Sequence, residues 1–376
     1  MIPVFKPAMG QEEIEAISQV IKSGWLGLGP KTEQFEKEFA EYLGVKYALA
    51  LNSATAALHL ALMVLAVKDR EVITTPMTFV STNHAILYNQ GRPVFTDIET
   101  DTLNINPEEI KKNLTKKTKA IMAVHYGGQA CRLEEIIKLA KDNNLSVVED
   151  CAHACGGEYK GKKLGTFGDL ACFSFHAVKN LATGDGGMIV TNNKEWHERL
   201  KKLRWLGINK DTWEREESEH KERGGYSWSY NVEELGFKYH MNDLNSALGL
   251  VQLAKLDKMN EKRRILAKRY DVLLKDVKEI ELPVEKEYAK SSWHNYVIKT
   301  SARDRLNLFL ADRGISTGVH YIPNNHYLIY QKYGEKTPAA EAVWTKLLTL
   351  PLYPDLAEDE QDSVINGLKD FFKGAN

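Results

Sequence analysis

The sequence predicts an α/β protein, in which a large domain is built around a mostly parallel sheet and a smaller α+β domain follows it. From about residue 33 to 205, short apolar runs alternate with amphipathic stretches of helix length, which is the pattern of β-α-β units. After residue 205 the alternation stops, and a long amphipathic stretch leads into shorter mixed segments. Because 376 residues exceed what one hydrophobic core usually supports, we place the large domain at residues 1–250 and the small domain at 251–376.

Each element of the large domain is predicted from its apolar period and from the residues that end it. Residues 32–43 form a helix that Gly44 stops, and YALAL at 47–51 has the length of a short strand. The remaining elements follow in chain order: a buried helix at 53–66, strands at 71–75, 92–98 and 119–126, a helix at 133–143 and a strand at 145–150. Ligands of such sheets bind at the carboxyl ends of the strands, so we expect the functional residues there.

The carboxyl-terminal part of the chain shows a different pattern. Residues 211–230 are charged, contain Gly224 and Gly225 and lack an apolar period, which predicts a surface loop or flap. The long amphipathic stretch at 241–274 is expected to cross from the large domain to the small one. The segments at 291–300, 303–314 and 316–321 indicate an α+β domain.

Composition excludes several classes of function. A formal net charge of −1 without a dense Lys/Arg cluster gives no electrostatic footprint for nucleic acid or for an anionic membrane. No apolar run approaches the roughly 20 residues that span a bilayer, and the amino-terminal residues do not resemble a signal peptide. We therefore expect a cytoplasmic protein that binds small ligands.

The four cysteines do not form a disulfide framework, and none belongs to a C-x-x-C pair. Cys151, His153 and Cys155 are potential zinc ligands, because thiolates and imidazoles bind zinc well. A closed zinc site usually takes its ligands from two separated pairs, and no second pair is evident. We favour buried cysteines around a histidine that has another function, and we expect no metal.

Three places in the large domain carry candidate chemistry, each with an ordinary alternative. Ser53, Ala54 and Thr55 lie where a strand gives way to a helix, which suits either an anion site or a simple helix cap. Asp150 ends a strand and is a cap, a metal ligand or the partner of a positively charged ligand nitrogen. Lys179 follows an apolar run and is either a solvated charge or a desolvated amine that attacks a carbonyl.

The combination of these places decides between the alternatives. A phosphate-binding helix start, an aromatic residue after the next strand (Phe79), a strand-end Asp and a Lys after a Ser-bearing strand are the parts of a pyridoxal 5′-phosphate site. With these motifs, and with SGWLGLGPKTEQFE, VHYGGQACRLEEI, FSFHAVKN and GFKYHMNDLNSALGL, the sequence resembles the fold type I aminotransferases. Within them it resembles the sugar aminotransferases of the DegT/DnrJ/EryC1/StrS family, along nearly the whole chain.

The resemblance implies a role for each candidate residue. Lys179 is expected to be the Schiff-base lysine and proton carrier, and Asp150 to hold the pyridinium nitrogen protonated. His153 is expected near the phenolic oxygen of the cofactor, which gives that histidine a function other than metal binding. The ring stack and the phosphate contacts are expected from Phe79, Ala54, Thr55 and Ser174.

The same resemblance implies a homodimer. Relatives often have G-x-N-Y-R where this chain has GFKYH, and in the family this segment reaches the cofactor phosphate of the neighbouring subunit. Lys238 replaces the Asn of that pattern and is the expected donor, whereas His240 replaces the Arg.

The implied reaction moves an amino group from L-glutamate to a nucleotide-linked keto sugar, for the synthesis of a cell-surface polysaccharide or a related glycan. The motifs are closest to enzymes that aminate C4, the UDP-4-amino-4-deoxy-arabinose aminotransferase type. Substrate contacts are expected from residues 25–30, from the loop near 210–230, and from His320, Tyr321 and His326.

Two other classes of function remain as alternatives. In an NAD(P)-dependent sugar nucleotide oxidoreductase, GWLGLG would be a dinucleotide turn and Tyr42 and Lys46 a catalytic pair, but those glycines follow a helix-like segment rather than a first strand. In a regulatory homologue, the fold would bind the cofactor without turnover.

Overall fold

The computed structural model describes residues 1–209, 230–334 and 336–374. Residues 211–229 of the predicted loop, which was also expected to contact substrate, lie outside the described residues. The helices are Gln11–Ser23, Pro30–Leu43, Ala54–Val64, Val80–Tyr88, Pro107–Asn113, Leu133–Asp142, Lys194–Arg204, Asp243–Leu274, Arg303–Ala311, Pro338–Trp344 and Glu358–Lys373. No helix in the described part of the chain is long and apolar enough to cross a membrane.

A seven-stranded sheet forms the centre of the large domain. The strands of the whole described chain, of which seven form this sheet, are in chain order β1 (Tyr47–Leu51), β2 (Glu71–Thr74), β3 (Arg92–Phe95), β4 (Thr118–Val124), β5 (Ser146–Asp150), β6 (Glu158–Tyr159), β7 (Lys162–Lys163), β8 (Leu170–Ser174), β9 (Gly187–Thr191), β10 (Ala289–Lys290), β11 (Tyr296–Lys299) and β12 (Leu347–Leu350). The sheet order is β1-β9-β8-β5-β4-β2-β3. Only β9 runs antiparallel to its neighbours, β1 and β8, so the predicted α/β class with a mostly parallel sheet is confirmed.

Both faces of this sheet are covered by apolar side chains, as β-α-β connections require. Strand β1 shows the alternation directly, because Ala48 and Ala50 join the core on one face while Leu49 and Leu51 join the core on the other. The first core contains the helix Pro30–Leu43 through Phe35 and Phe39, and the second contains most of the helix Ala54–Val64. The sheet is therefore a rigid frame between two packed layers.

The long helix Asp243–Leu274 connects two cores. Leu253 and Leu256 pack in the large core, whereas Ala267, Tyr270 and Leu274 pack in a separate core with residues 280–372. The helix therefore spans the predicted boundary at residue 250, and that boundary remains a prediction.

The helix Gln11–Ser23 and strand β9 are among the elements that were not predicted from the sequence. The helix Gln11–Ser23 has only a narrow buried stripe, with Val20 and Glu13 buried, and packs on the long helix. Strand β9 begins at the last glycine of the Gly-Asp-Gly-Gly segment at residues 184–187, and its five residues are all buried.

Candidate active site

A cavity of about 420 Å³ opens where the carboxyl ends of the parallel strands meet. Val124 ends β4, Asp150 ends β5 and Ser174 ends β8, so three adjacent strands deliver residues to one place. The predicted site residues that line this cavity are Ala54, Thr55, Phe79, Asp150, His153, Ser174, Lys179, His320 and Tyr321. The structure thus brings together nine residues that are far apart in the sequence.

Asp150 lies at the buried wall of the cavity and is only 3% exposed. Its Oδ2 accepts a hydrogen bond from the hydroxyl of Thr82 at 2.7 Å, and its Oδ1 accepts one from the backbone N–H of Ala152 at 3.1 Å. Burial raises the pKa of Asp150, and these two hydrogen bonds and the charge of Lys179 oppose the rise. The carboxylate is therefore held in one orientation beside the cavity.

The helix Ala54–Val64 starts at another part of the cavity wall. Ser53 is its N-cap and accepts the N–H of Ala56 at 3.1 Å, while Ala54 and Thr55 line the cavity. The first N–H groups of a helix have no partner within the helix, and with the helix dipole they favour an anion.

Gly187 allows strand β9 to pass directly against this helix start. A Cβ on Gly187 would lie 2.5 Å from the carbonyl carbon of Ser53 and 2.6 Å from the nitrogen of Ala54. Both atoms belong to backbone, so no side chain could move aside to make room. Any residue larger than glycine would displace the helix start.

Lys179 projects into the cavity from the segment that follows β8. Its Nζ lies 3.5 Å from Nε2 of His294, and burial lowers the pKa of Lys179 to about 8, against the opposing charge of Asp150. An ordinary lysine has a pKa near 10.4, so this amine is neutral far more often near physiological pH.

His153 is held on both ring nitrogens. Its Nδ1 accepts the N–H of Gly127 at 3.3 Å, and its Nε2 lies 2.9 Å from the hydroxyl oxygen of Tyr321. Because a backbone N–H can only donate, the proton of the neutral ring is on Nε2, and the hydroxyl hydrogen of Tyr321 is left to point elsewhere. Burial holds the pKa of His153 well below its usual range, so the ring stays neutral.

Cys151, His153 and Cys155, which were considered as zinc ligands, do not come together as one group among the described residues. Among the described residues, the histidine–carboxylate–thiol group close enough to hold a metal ion is His125, Glu149 and Cys151. Nε2 of His125 lies 3.0 Å from Glu149, whose oxygens also accept backbone N–H groups from residues 165, 167 and 168. The Glu149 carboxylate is therefore already bonded within the protein. It supports the strand end that carries Asp150.

His326, Lys238 and residues 25–30 do not line the cavity. His326 Nε2 contacts Oε2 of Glu341 at 2.6 Å, so the expected substrate contact is not brought to the site. The ammonium of Lys238 lies 3.5 Å from the centroid of the Trp205 ring, and its carbonyl accepts from Asn52 at 3.3 Å. The expected contact of Lys238 with a neighbouring subunit remains a prediction.

Other residues of the cavity were not predicted as site residues, among them Phe5, Ser81, Thr82, His176, Asp185 and His294. Thr82 lies three residues after Phe79, and a helical spacing would have placed it on the same side. The sequence around His294 does not distinguish it from an ordinary core histidine, because its neighbours are Trp293 and Asn295. Its partners in the structure, Lys179 and Asn180, lie 115 and 114 positions away in the sequence.

The glycine-rich segment at 24–29 has no place in a dinucleotide site. Gly24 ends one helix and Gly29 caps the next, so these glycines follow a helix rather than a strand. This arrangement lacks the strand–turn–helix context of a dinucleotide fingerprint.

Comparison with known proteins gives a consistent result. The model of the DegT/DnrJ/EryC1/StrS aminotransferase family matches residues 7–369. The chain is 40% identical over 387 residues to the spore coat polysaccharide biosynthesis protein SpsC of Bacillus subtilis, covering 100% of this chain and 98% of that protein.

Solved structures agree with this family. PseC of Helicobacter pylori, an aminotransferase involved in the biosynthesis of pseudaminic acid, has a TM-score of 0.91 and 32% identity, with 99% of each chain covered. The sugar aminotransferase Spr1654 of Streptococcus pneumoniae, solved in a PMP form, has a TM-score of 0.92 and 30% identity, with 100% of each chain covered. A PLP form of the same protein has a TM-score of 0.90. The chain therefore belongs to the DegT/DnrJ/EryC1/StrS aminotransferase family.

Proposed function

We propose that this aminotransferase uses pyridoxal 5′-phosphate to move an amino group from L-glutamate to C4 of a nucleotide-linked keto sugar. The observation that carries the proposal is the amine of Lys179, which lies in one cavity with a buried carboxylate and a helix start. These are the groups that such a cofactor requires: an amine, a partner for a ring nitrogen and an anion site.

The residues of the cavity fit this cofactor. The buried carboxylate of Asp150 suits a protonated ring nitrogen, and the helix start at Ala54 and Thr55, with Ser174 nearby, suits the phosphate. Phe79 is 57% exposed although it borders the cavity, which leaves its ring face available to stack. When bound, pyridoxal phosphate supplies a carbonyl that takes up the amino group and a ring that withdraws electrons.

Lys179 is proposed to bind the cofactor covalently and to carry the proton during transfer. With a pKa of about 8, roughly a quarter of the amine is neutral at pH 7.5, compared with about 0.1% for an unperturbed lysine. A neutral amine can attack a carbonyl and can accept a proton, so burial prepares this residue for both steps.

The choice of substrate rests on the relatives and on the cavity wall. SpsC is named for spore coat polysaccharide biosynthesis and PseC for pseudaminic acid biosynthesis, which supports a sugar acceptor in the synthesis of a surface glycan. His320 and Tyr321 bring an imidazole and a hydroxyl to the cavity, and both can bind sugar hydroxyls. Burial lowers the pKa of His320 to about 4, so it acts as a neutral hydrogen-bonding group.

The experiment is a spectral titration of the purified protein loaded with pyridoxal phosphate. L-Glutamate should remove the visible absorbance band and release one 2-oxoglutarate per site, and a UDP-linked 4-keto sugar should restore the band. If another amino acid removes the band while L-glutamate does not, the donor is wrong. A protein that binds the cofactor but changes with neither substrate would be a regulatory homologue instead.

A further inference from the structure

A series of hydrogen bonds leads from the buried backbone to the amine of Lys179. It passes through Asn260, Asn180 and His294, which come from three separate parts of the chain. All three are at least nine-tenths buried. The direction of each bond can be fixed because the series is anchored on two backbone carbonyls.

The two carbonyls decide the orientation of both amide groups. Asn260 Nδ2 lies 3.0 Å from the carbonyl oxygen of Cys155, and Asn180 Nδ2 lies 2.7 Å from that of Ser292. A carbonyl oxygen can only accept, so an NH₂ group must face it in each case. Asn180 Nδ2 also donates to Oδ1 of Asn260 at 2.7 Å, which is consistent with both orientations.

The orientation of Asn180 then fixes the tautomer of His294. With its NH₂ group committed, Asn180 presents Oδ1 to Nδ1 of His294 at 3.2 Å. Oδ1 is an acceptor, so Nδ1 of His294 must carry the proton. In the neutral ring Nε2 is therefore unprotonated, and it is this nitrogen that lies 3.5 Å from Lys179 Nζ.

The surroundings keep this ring neutral and in place. Its faces pack against Phe5, with ring centroids 5.2 Å apart and planes within 3°, and against His153 at 4.5 Å. Burial, followed by the positive charges of Lys179 and Arg263, holds the pKa of His294 well below its usual range, and the neutral rings of His153 and His320 are the other titratable groups that face it.

We propose that His294 is a positioning residue for Lys179, whose amine donates one N–H to the unprotonated Nε2 and is thereby held with its lone pair toward the cavity. The inference deepens the proposed function, because it rests on Lys179 as the reacting amine. Asn180 and Asn260 act through His294 by fixing its tautomer. A histidine that only filled space would not need this series of bonds.

The tautomer is tested directly by nitrogen NMR of the full chain labelled with ¹⁵N-histidine, without cofactor. The His294 signal is identified by its loss in His294→Phe. We expect the proton on Nδ1 from pH 6 to 9 in the wild type, and a mixture of tautomers in Asn180→Ala. A wild-type signal with the proton on Nε2, or an Asn180→Ala signal identical to the wild type, would overturn the proposal.

The effect on Lys179 is tested by acetylation with acetic anhydride, followed by mass spectrometry. The amine nitrogen bonds to one acetyl carbon, acetate leaves, and the amine proton passes to water. His294→Phe keeps the stacked ring but removes the acceptor that orients the amine, so the rate at Lys179 should fall at least about tenfold, within the roughly 10²-fold that a misplacement of about 1 Å can cost. Asn180→Ala should slow it in the same direction.

The matched control is His197→Phe, since His197 stacks on Tyr47 at 4.6 Å and does not line the cavity. It should acetylate Lys179 within about twofold of the wild type. Equal rates in His294→Phe and wild type, or equal losses in His294→Phe and His197→Phe, contradict the proposal. If L-glutamate fails to change the cofactor band while these results hold, the proposed function fails and the positioning of Lys179 stands.

Discussion

Lys179→Met should stabilise the protein without cofactor at pH 7, because burial of the Lys179 ammonium group away from water lowers the free energy of unfolding of the wild type. The free energy follows from the displacement of the pKa from 10.5 to about 8. In the folded state the amine loses its proton near pH 8, whereas in the unfolded state it loses it near pH 10.5. The unfolded state therefore binds more protons between these values, and the stability of the wild type rises with pH across this window.

The expected gain is as much as about 3 kcal/mol at pH 7, at about 1.4 kcal/mol for each unit of pKa displacement. It should shrink to roughly 1.4 kcal/mol at pH 9.5, because the folded amine is already neutral there and this pH lies only one unit below the pKa of the unfolded lysine. Part of the gain is offset because removing the charge of Lys179 also leaves Asp150 without a neighbouring cation.

The assay is urea denaturation of both proteins at pH 7 and at pH 9.5. Lys111→Met, at an exposed position of the helix Pro107–Asn113, is the control and should change stability by less than about 0.5 kcal/mol. If Lys179→Met is no more stable than the wild type at pH 7, or if its gain does not shrink with pH, the amine is not desolvated and the reasoning is refuted.

Three further predictions concern the cofactor site and assembly. Gly187→Ala should lose about 1 to 3 kcal/mol of stability and bind pyridoxal phosphate more weakly by titration, since its Cβ would overlap backbone, whereas Gly374→Ala, with its nearest contact at 3.4 Å, should do neither. Thr82→Val should raise the pKa of Asp150 and weaken cofactor retention on dialysis; unchanged retention would show that this hydrogen bond is not needed. Light scattering should show a homodimer, and Lys238→Ala should weaken cofactor binding without dissociating the dimer. A fully active monomer would contradict an active site shared between two subunits.

The strand ends of the site could be predicted because their signals are local. Asp150 follows an apolar run at the edge where ligands of parallel sheets bind, and Lys179 follows a second apolar run. Each alone had an ordinary explanation. Their combination, with the helix start after β1, distinguished a cofactor site from separate caps and surface charges.

The parts that were missed depend on contacts between distant segments. His294 reaches Lys179 only because the segment 291–295 packs under the loop at 127–128, where the N–H of His294 bonds the carbonyl of Gly127 at 2.9 Å. His326 lies outside the cavity for the converse reason. It shares the segment with His320 and Tyr321, but a short helical turn, Asn324–His326, carries it away to Glu341.

The most direct test of the central claim is amino transfer by Lys179→Ala. The variant keeps the hydrogen bonds of Asp150 and the helix start, so it should still bind pyridoxal phosphate. Transfer of nitrogen from ¹⁵N-glutamate to a UDP-linked 4-keto sugar should fall by at least about a thousandfold, roughly 4 kcal/mol of transition-state stabilisation, because no amine remains to move the proton. Transfer within about tenfold of the wild type, a loss of no more than about 1.4 kcal/mol, would contradict the role given to Lys179.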